Sequence, residues 1–384
     1  MKTLAALAAL ALAAAPAAAQ ESGGYVVRLG RDTVVVEQFT RTADRIQGTL
    51  VGHTPRTAVR TYTATLRPDG GIARLEVVTR IPAAPELLPQ TLTVTMGADS
   101  ADWRTQRGDT VREGRMAVTA DATPWVGNAW GLAQPVLRAA LARGADSVAV
   151  PVVQAGARQT ATISFIRKGA DSLLIRAPNG VTRARVDAQG RVLGAHAPES
   201  TFKAEVERVP SIDVNAIAAA WTARDQAGQQ VGSLSPRDSV VGDVSGAAVS
   251  VAYGRPSLRG RRAVGATLVP YGQVWRTGAN EATHFRAERD LMVGDTRIPA
   301  GSYTLWTIPG PREWTVIFNR QTGQWGTEYH PEQDLARVSA SVEAAPDGPV
   351  EQLTMRFVPG CDEVSMLYID WENTRVAVPL TVAR

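Results

Sequence analysis

The chain has 384 residues, enough for roughly two or three domains that each bury a core, so a single small domain is excluded. An apolar share of 44% with 20% charged residues excludes wholesale disorder and a polytopic membrane protein, while 34 Gly and 23 Pro point to many turns. The net charge of +4 rests on 41 Lys and Arg against 37 Asp and Glu, and only Lys2, Lys168 and Lys203 are lysines; arginine spread along the chain in this way argues against a nucleic-acid partner.

Residues 1–19 combine a positive Lys2, an apolar run from Leu4 to Ala15 and the small residues Ala17, Ala18 and Ala19. This is the pattern of a secretory signal peptide, and cleavage after Ala19 is expected. The single cysteine, Cys361, leaves no lipid-acceptor Cys after that cleavage point. No later stretch reaches eighteen apolar residues, so a periplasmic or extracellular product without a transmembrane segment is expected. One cysteine also forbids an intrachain disulfide and a cysteine-based zinc site.

From residue 20 to 209 the chain alternates apolar and polar residues in short runs, as in Tyr25–Val36, Thr61–Leu66, Ile72–Val78, Thr91–Met96, Arg158–Arg167 and Ser172–Ile175. Turns at Pro68–Gly71, Pro178–Gly180 and Asp187–Gly190 separate them, which predicts an antiparallel meander. Leu132–Arg143 breaks the pattern: Leu137 and Leu141 share a helical face and Gly144 supplies a C-terminal stop. An α+β layer or half-barrel follows. Residues 210–234 change texture, with Asp213 placed to cap a short helix through Trp221 and Arg224 ahead of a polar stretch, and the domain boundary is set there. The pattern leaves open whether this helix docks on a domain or only spaces the two.

Residues 235–384 carry 15 Arg against 17 Asp and Glu, and five of the nine tryptophans: Trp275, Trp306, Trp314, Trp325 and Trp371. Seven to nine short strands with Gly and Pro turns predict an antiparallel β-sandwich, so the whole protein is mainly β. The only helix-like signal is near Pro331–Ala336. The segments SPRDSVVGDVSGAAVSVAYGRPSL, YGQVWRTGANEATHF, IPAGSYTLWTIPG and EWTVIFNRQTGQWGTEYHPEQDLARV, together with the late Trp371 strand, closely resemble the bacterial family called domain of unknown function 2911. That resemblance implies an exported all-β domain without an assigned biochemical role. It covers about Ser235 to Arg384 and leaves the N-terminal half unrecognised.

Three constellations carry the candidate chemistry. Trp275, Arg276, Gly278, Asn280 and Glu281 form a corner where a guanidinium fork, an amide and an indole face can receive a sugar or a carboxylate. The same residues also make a structural corner, with Arg276 pairing to Glu281 and Asn280 satisfying turn backbone, and that reading is placed first. Glu328, Tyr329, His330 and Asp334 form the second group, in which His330 and Asp334 share a face only if Pro331 begins a helical turn. With Glu281 and His284 it offers ligand types for a divalent metal but no metal-binding spacing, so no cofactor is predicted and His284 and His330 remain candidates by type alone. The third group is Arg255, Arg259, Arg261 and Arg262, which can clamp an anion or pair with nearby carboxylates. No nucleophile elbow, phosphate loop or dinucleotide fingerprint is present.

The expected function is therefore non-catalytic binding of a saccharide, lipid or other envelope component through Trp275, Arg276, Asn280, Glu281, Arg255, Arg261, Tyr329 and Asp334. The alternative is a hydrolase acting on a saccharide or other envelope substrate through Glu281 and Asp334, with a metal on His330 as an option; the carboxylates would then converge on one cavity. A third possibility is an assembly role for a broad apolar face of the first sheet. The sequence leaves the oligomeric state open.

Overall fold

The structure, a computed structural model, describes residues 20–154, 159–178, 180–197, 202–229, 231–361 and 363–383. The expected signal peptide and positions 158 and 179 of the expected strand and turn lie outside the described residues. Fifteen strands and a helix are described in the first half: β1 (Glu21–Leu29), β2 (Asp32–Arg41), β3 (Arg45–Gly52), β4 (Ala58–Leu66), β5 (Ile72–Arg80), β6 (Gln90–Met96), β7 (Ser100–Arg107), β8 (Thr110–Ala117), β9 (Thr123–Trp125), α1 (Trp130–Ala142), β10 (Ser147–Gln154), β11 (Gln159–Arg167), β12 (Ser172–Ala177), β13 (Gly180–Val186), β14 (Val192–His196) and β15 (Glu205–Val209).

All fifteen join one sheet in the order β8-β7-β6-β5-β4-β3-β2-β1-β15-β14-β13-β12-β11-β10-β9. Two meanders meet at its centre, where Gly24 pairs with Val209, and only β9 runs parallel to its neighbour. The sheet curls around α1 far enough for β9 to reach β5, where the Ile72 amide donates to Thr123 Oγ1 at 3.2 Å. Leu132, Val136, Leu137 and Ala140 of α1 pack into the core beneath Tyr25, Phe39, Leu50 and Leu75. The helix ends near its predicted stop, with Gly144 at φ +71°. It starts two residues early because its cap is tertiary: Ala129 offers no side-chain cap, and Glu37 of β2 accepts the Gly131 N–H at 3.0 Å.

The linker helix α2 (Val214–Gln226) is capped by Asp213, whose carboxylate accepts from the amides of Asn215 and Ala216. It docks on the opposite face of the sheet, where Val214 and Trp221 cover Val26, Val36 and Val51. Helices on both faces explain why β1 and β2 carry unbroken runs of buried valines where strict alternation was expected.

The second half contributes β16 (Arg237–Val244), β17 (Ala247–Gly254), β18 (Thr283–Ala287), β19 (Leu291–Val293), β20 (Thr296–Ile298), β21 (Gly301–Ile308), β22 (Glu313–Asn319), β23 (Asp334–Ala344), β24 (Val350–Pro359), β25 (Ser365–Glu372) and β26 (Thr374–Val382). These eleven strands exceed the seven to nine expected, partly because three-residue β19 and β20 are too short to show a period. The sandwich takes the form of one curled, nearly closed sheet. β26 pairs with β23, β25 and β19, while β25 and the turn before it come back to the β16–β17 hairpin through Ser365 Oγ to the Asp243 carbonyl and Ser245 Oγ to the Glu363 carbonyl, each 3.1 Å. Its core holds Trp275, Trp314 and Trp371, with Trp275 stacked on Trp371 at 5.9 Å and edge-on to Trp314 at 6.0 Å.

The two sheets meet at the β1–β2 turn. The Arg31 amide donates to the Arg259 carbonyl at 3.0 Å, and the Arg259 guanidinium donates to Asp32 at 2.5 Å. Gly30 is required there on two counts: its φ is +63°, and a Cβ would run into the Arg259 carbonyl oxygen.

Candidate functional site

The corner after Trp275 is built by threonines. Trp275 exchanges both backbone hydrogen bonds with Thr307 of β21, at 2.7 and 2.8 Å. Thr277, at φ +54° and fully buried, donates from Oγ1 to Thr307 Oγ1, while Thr283 Oγ1 donates to the Thr277 carbonyl at 2.9 Å. The corner thus needs neither Arg276 nor Glu281, which corrects the pairing expected between them. Glu281 instead meets Arg237 of β16 at 2.6 Å, and the Asn280 amide reaches the Ser235 carbonyl at the start of the second half at 3.4 Å, so it does not serve the turn backbone.

Among the described residues no carboxylate pairs with Arg276. Its Nε is buried and has no hydrogen-bond partner, and burial alone pulls the guanidinium pKa below its usual value. Gly326 makes the space for its stem, since a Cβ at that position would overlap Arg276 Cδ.

Arg276 lines a cavity of about 340 Å³ where the two sheets meet. Leu29, Thr54 and Pro55 contribute one wall from the first sheet, and Phe202 and Lys203 from the β14–β15 connection and Ser233–Ser235 from the stretch after α2 flank it. The remainder is Pro256, Arg261, Leu268, Trp275, Arg276, Gly278, Ala279, Asn280 and Trp371. Of the candidates, Trp275, Arg276, Asn280 and Arg261 are brought together here. Arg255, Glu281, His284, Tyr329, His330 and Asp334 are outside this lining. Thr54, Pro55, Leu29 and Trp371 had no local signal, because each reaches the cavity only through long-range packing.

The arginine-rich loop does not form a clamp; its side chains diverge. Arg255 pairs with Asp238 at 3.0 Å and donates to the Leu353 carbonyl, whereas Arg259 pairs with Asp32. Arg261 donates to the Leu258 and Ser257 carbonyls at 2.9 and 3.0 Å, and Arg262 extends into solvent 3.9 Å from Glu372. Around His330 the predicted helical turn is a single 3-10 turn, Pro331–Gln333, and Asp334 already opens β23. His330 is exposed against Glu332 at 3.0 Å. Asp334 accepts from Tyr329, Asn319 and Arg337 at 2.7 to 2.9 Å, and burial with the neighbouring carboxylate pushes the Tyr329 hydroxyl up to about 12. His284 Nε2 accepts from the Gly323 amide at 2.9 Å, and burial followed by Arg237 lowers its pKa. Among the described residues no three His, Cys, Asp or Glu side chains converge as a metal would need.

No curated protein matches the chain. A solved structure of a DUF1089 family protein from Pseudomonas aeruginosa aligns over 50% of this chain and 95% of that one, at 14% identity and a TM-score of 0.31. Residues 235–380, the second sheet and the corner that lines the cavity, match the family described as Protein of unknown function (DUF2911).

Proposed function

We propose that this protein is exported and acts without catalysis, holding a small ligand in the cavity between its two sheets. The observation that carries this reading is the wall itself: both sheets and the linker segments contribute to one 340 Å³ space, and a part-buried guanidinium without a partner stands on it. The positive Lys2, the Leu4–Ala15 run and the Ala17–Ala19 exit support export. Glu281 and Asp334, each neutralised by an arginine, stand outside the cavity lining, which gives the hydrolase reading no support. In the first half the exposed large apolar residues are Leu87, Leu88 and Val111 among the described residues, too few for a broad assembly face.

Two measurements test the reading. Intact mass of the exported protein is expected to begin at Gln20, and a cytoplasmic, uncleaved chain overturns the export half. Thermal-shift screening of small envelope-derived molecules is expected to yield a ligand that changes tryptophan fluorescence through Trp275 or Trp371. Thr54→Trp, which fills the cavity from its far wall, should abolish that response at an unchanged fold. A response that survives Thr54→Trp places binding elsewhere.

A further inference from the structure

We infer that the cavity takes a compact organic anion, a carboxylate or phosphate monoester joined to a ring or short apolar body, with its oxygens on Arg276. This rests on the binding reading above and names its ligand class. Among the described residues the cavity lining includes Lys203, Arg261 and Arg276 and not one Asp or Glu. Several arginines elsewhere are neutralised by carboxylates: Asp102 holds Arg115, Asp187 holds Arg191, and Asp370 holds Arg375. Arg276 has no such partner, and the hydrogen bonds of Arg261 go to neutral carbonyls. An unpaired cation withdrawn from water is costly, and a carboxylate or phosphate bound by a planar fork of donors repays that cost in a way a neutral sugar does not.

The rest of the lining sets the body of the ligand. Trp275 and Trp371 stack at 5.9 Å, and with Leu268 they give the lining an apolar surface suited to a ring or a short chain. A volume of 340 Å³ lies at the lower end of the range for small-molecule sites, so a polymer or a two-chain lipid does not fit inside it. Ser233 of the linker and Ser235, which opens the second half, line the same space beside Asn280, residue types whose donors suit the outer oxygens of the same head group.

The test is isothermal titration calorimetry on the full mature protein with benzoate, phenyl phosphate and the neutral benzyl alcohol at up to millimolar concentration. Benzoate or phenyl phosphate is expected to bind at least about tenfold more tightly than benzyl alcohol, and to weaken as salt is raised. The tighter of the two anions identifies the head group. Arg276→Gln is expected to cost about tenfold or more in anion affinity, and Arg276→Lys to restore part of it. Because Arg276 holds nothing in the fold, the melting temperature of Arg276→Gln should be unchanged or higher; a marked drop makes the arginine structural and overturns the inference. Benzyl alcohol binding as tightly as the anions, with loss in Thr54→Trp, keeps the cavity as a site and removes the anion. Silence from all three probes overturns the anion inference by itself, while the binding reading then falls only if the broader thermal-shift screen is also silent.

Discussion

Glu37 shows what a single buried carboxylate does for the first sheet. It is fully buried, accepts from the Tyr62 hydroxyl at 2.5 Å and the Gly131 amide at 3.0 Å, and closes the start of α1. Burial pushes its pKa up to about 7, against the lowering effect of those hydrogen bonds. A raised carboxyl pKa means that the folded state holds the proton more tightly. Its contribution to stability is fully present below the unfolded value near 4.5 and is lost as pH rises through 7. Glu37→Gln should therefore flatten the fall in denaturation midpoint between pH 4.5 and 7 that the native protein shows; an unchanged slope would assign that fall to other groups. His53 works in the opposite direction. Burial lowers its pKa below 6.5, so its contribution is present above that value and is lost as pH falls below it.

At the scale of elements, α2 is held by a small polar cluster on an apolar bed. Trp221 stacks on the His53 ring at 4.5 Å and 4°, and Asp225 accepts the Thr57 amide at 2.6 Å while standing 3.7 Å from His53 Nε2. His53 and Thr57 belong to the β3–β4 loop, and the residues between them include Thr54 and Pro55 of the cavity wall. The helix thus sets the position of a wall it does not itself form. Trp221→Ala should cost about 3 to 5 kcal/mol in the urea unfolding of the first sheet, the usual loss for a buried aromatic. Asp225→Ala should weaken whatever the cavity binds although Asp225 does not line it. Full affinity in Asp225→Ala would show that the loop holds its shape without the helix.

For the molecule as a whole, the junction at Gly30, Asp32 and Arg259 decides whether the cavity exists. Gly30→Val introduces a side chain at positive φ and against the Arg259 carbonyl, so the sheets can no longer approach. Calorimetry on Gly30→Val is expected to separate one melting transition into two, with each sheet keeping its own core, and ligand response should vanish. A single transition at the native temperature would show that the contact is incidental to the arrangement.

Much of this architecture was legible in local pattern. Period-two runs, turn residues and one helical stretch indicated the meander, α1 and the capped linker helix, since backbone preference and capping act over a few residues. The short strands β19 and β20 escaped because three residues show no period. The valine runs of β1 and β2 misled because their second face is covered by a helix far along the chain.

The site divides in the same way. Trp275, Arg276 and Asn280 stood out as residue types able to bind, and Arg261 as part of a basic loop. Their partners did not: Arg276 looked matched to Glu281 five residues on, yet Arg237 takes that carboxylate from another strand. The sequence by itself determined which segments become strands and helices, where the texture changes between the two halves, and which residue types face the corner. Only the tertiary structure decided that Arg276 keeps its charge unpaired, that α2 lies on the first sheet, and that Leu29, Thr54 and Trp371 close a space around the corner. Helix and strand patterns are written between neighbours, whereas a cavity and the pairing of its charges depend on groups that only the closing of two sheets brings within reach.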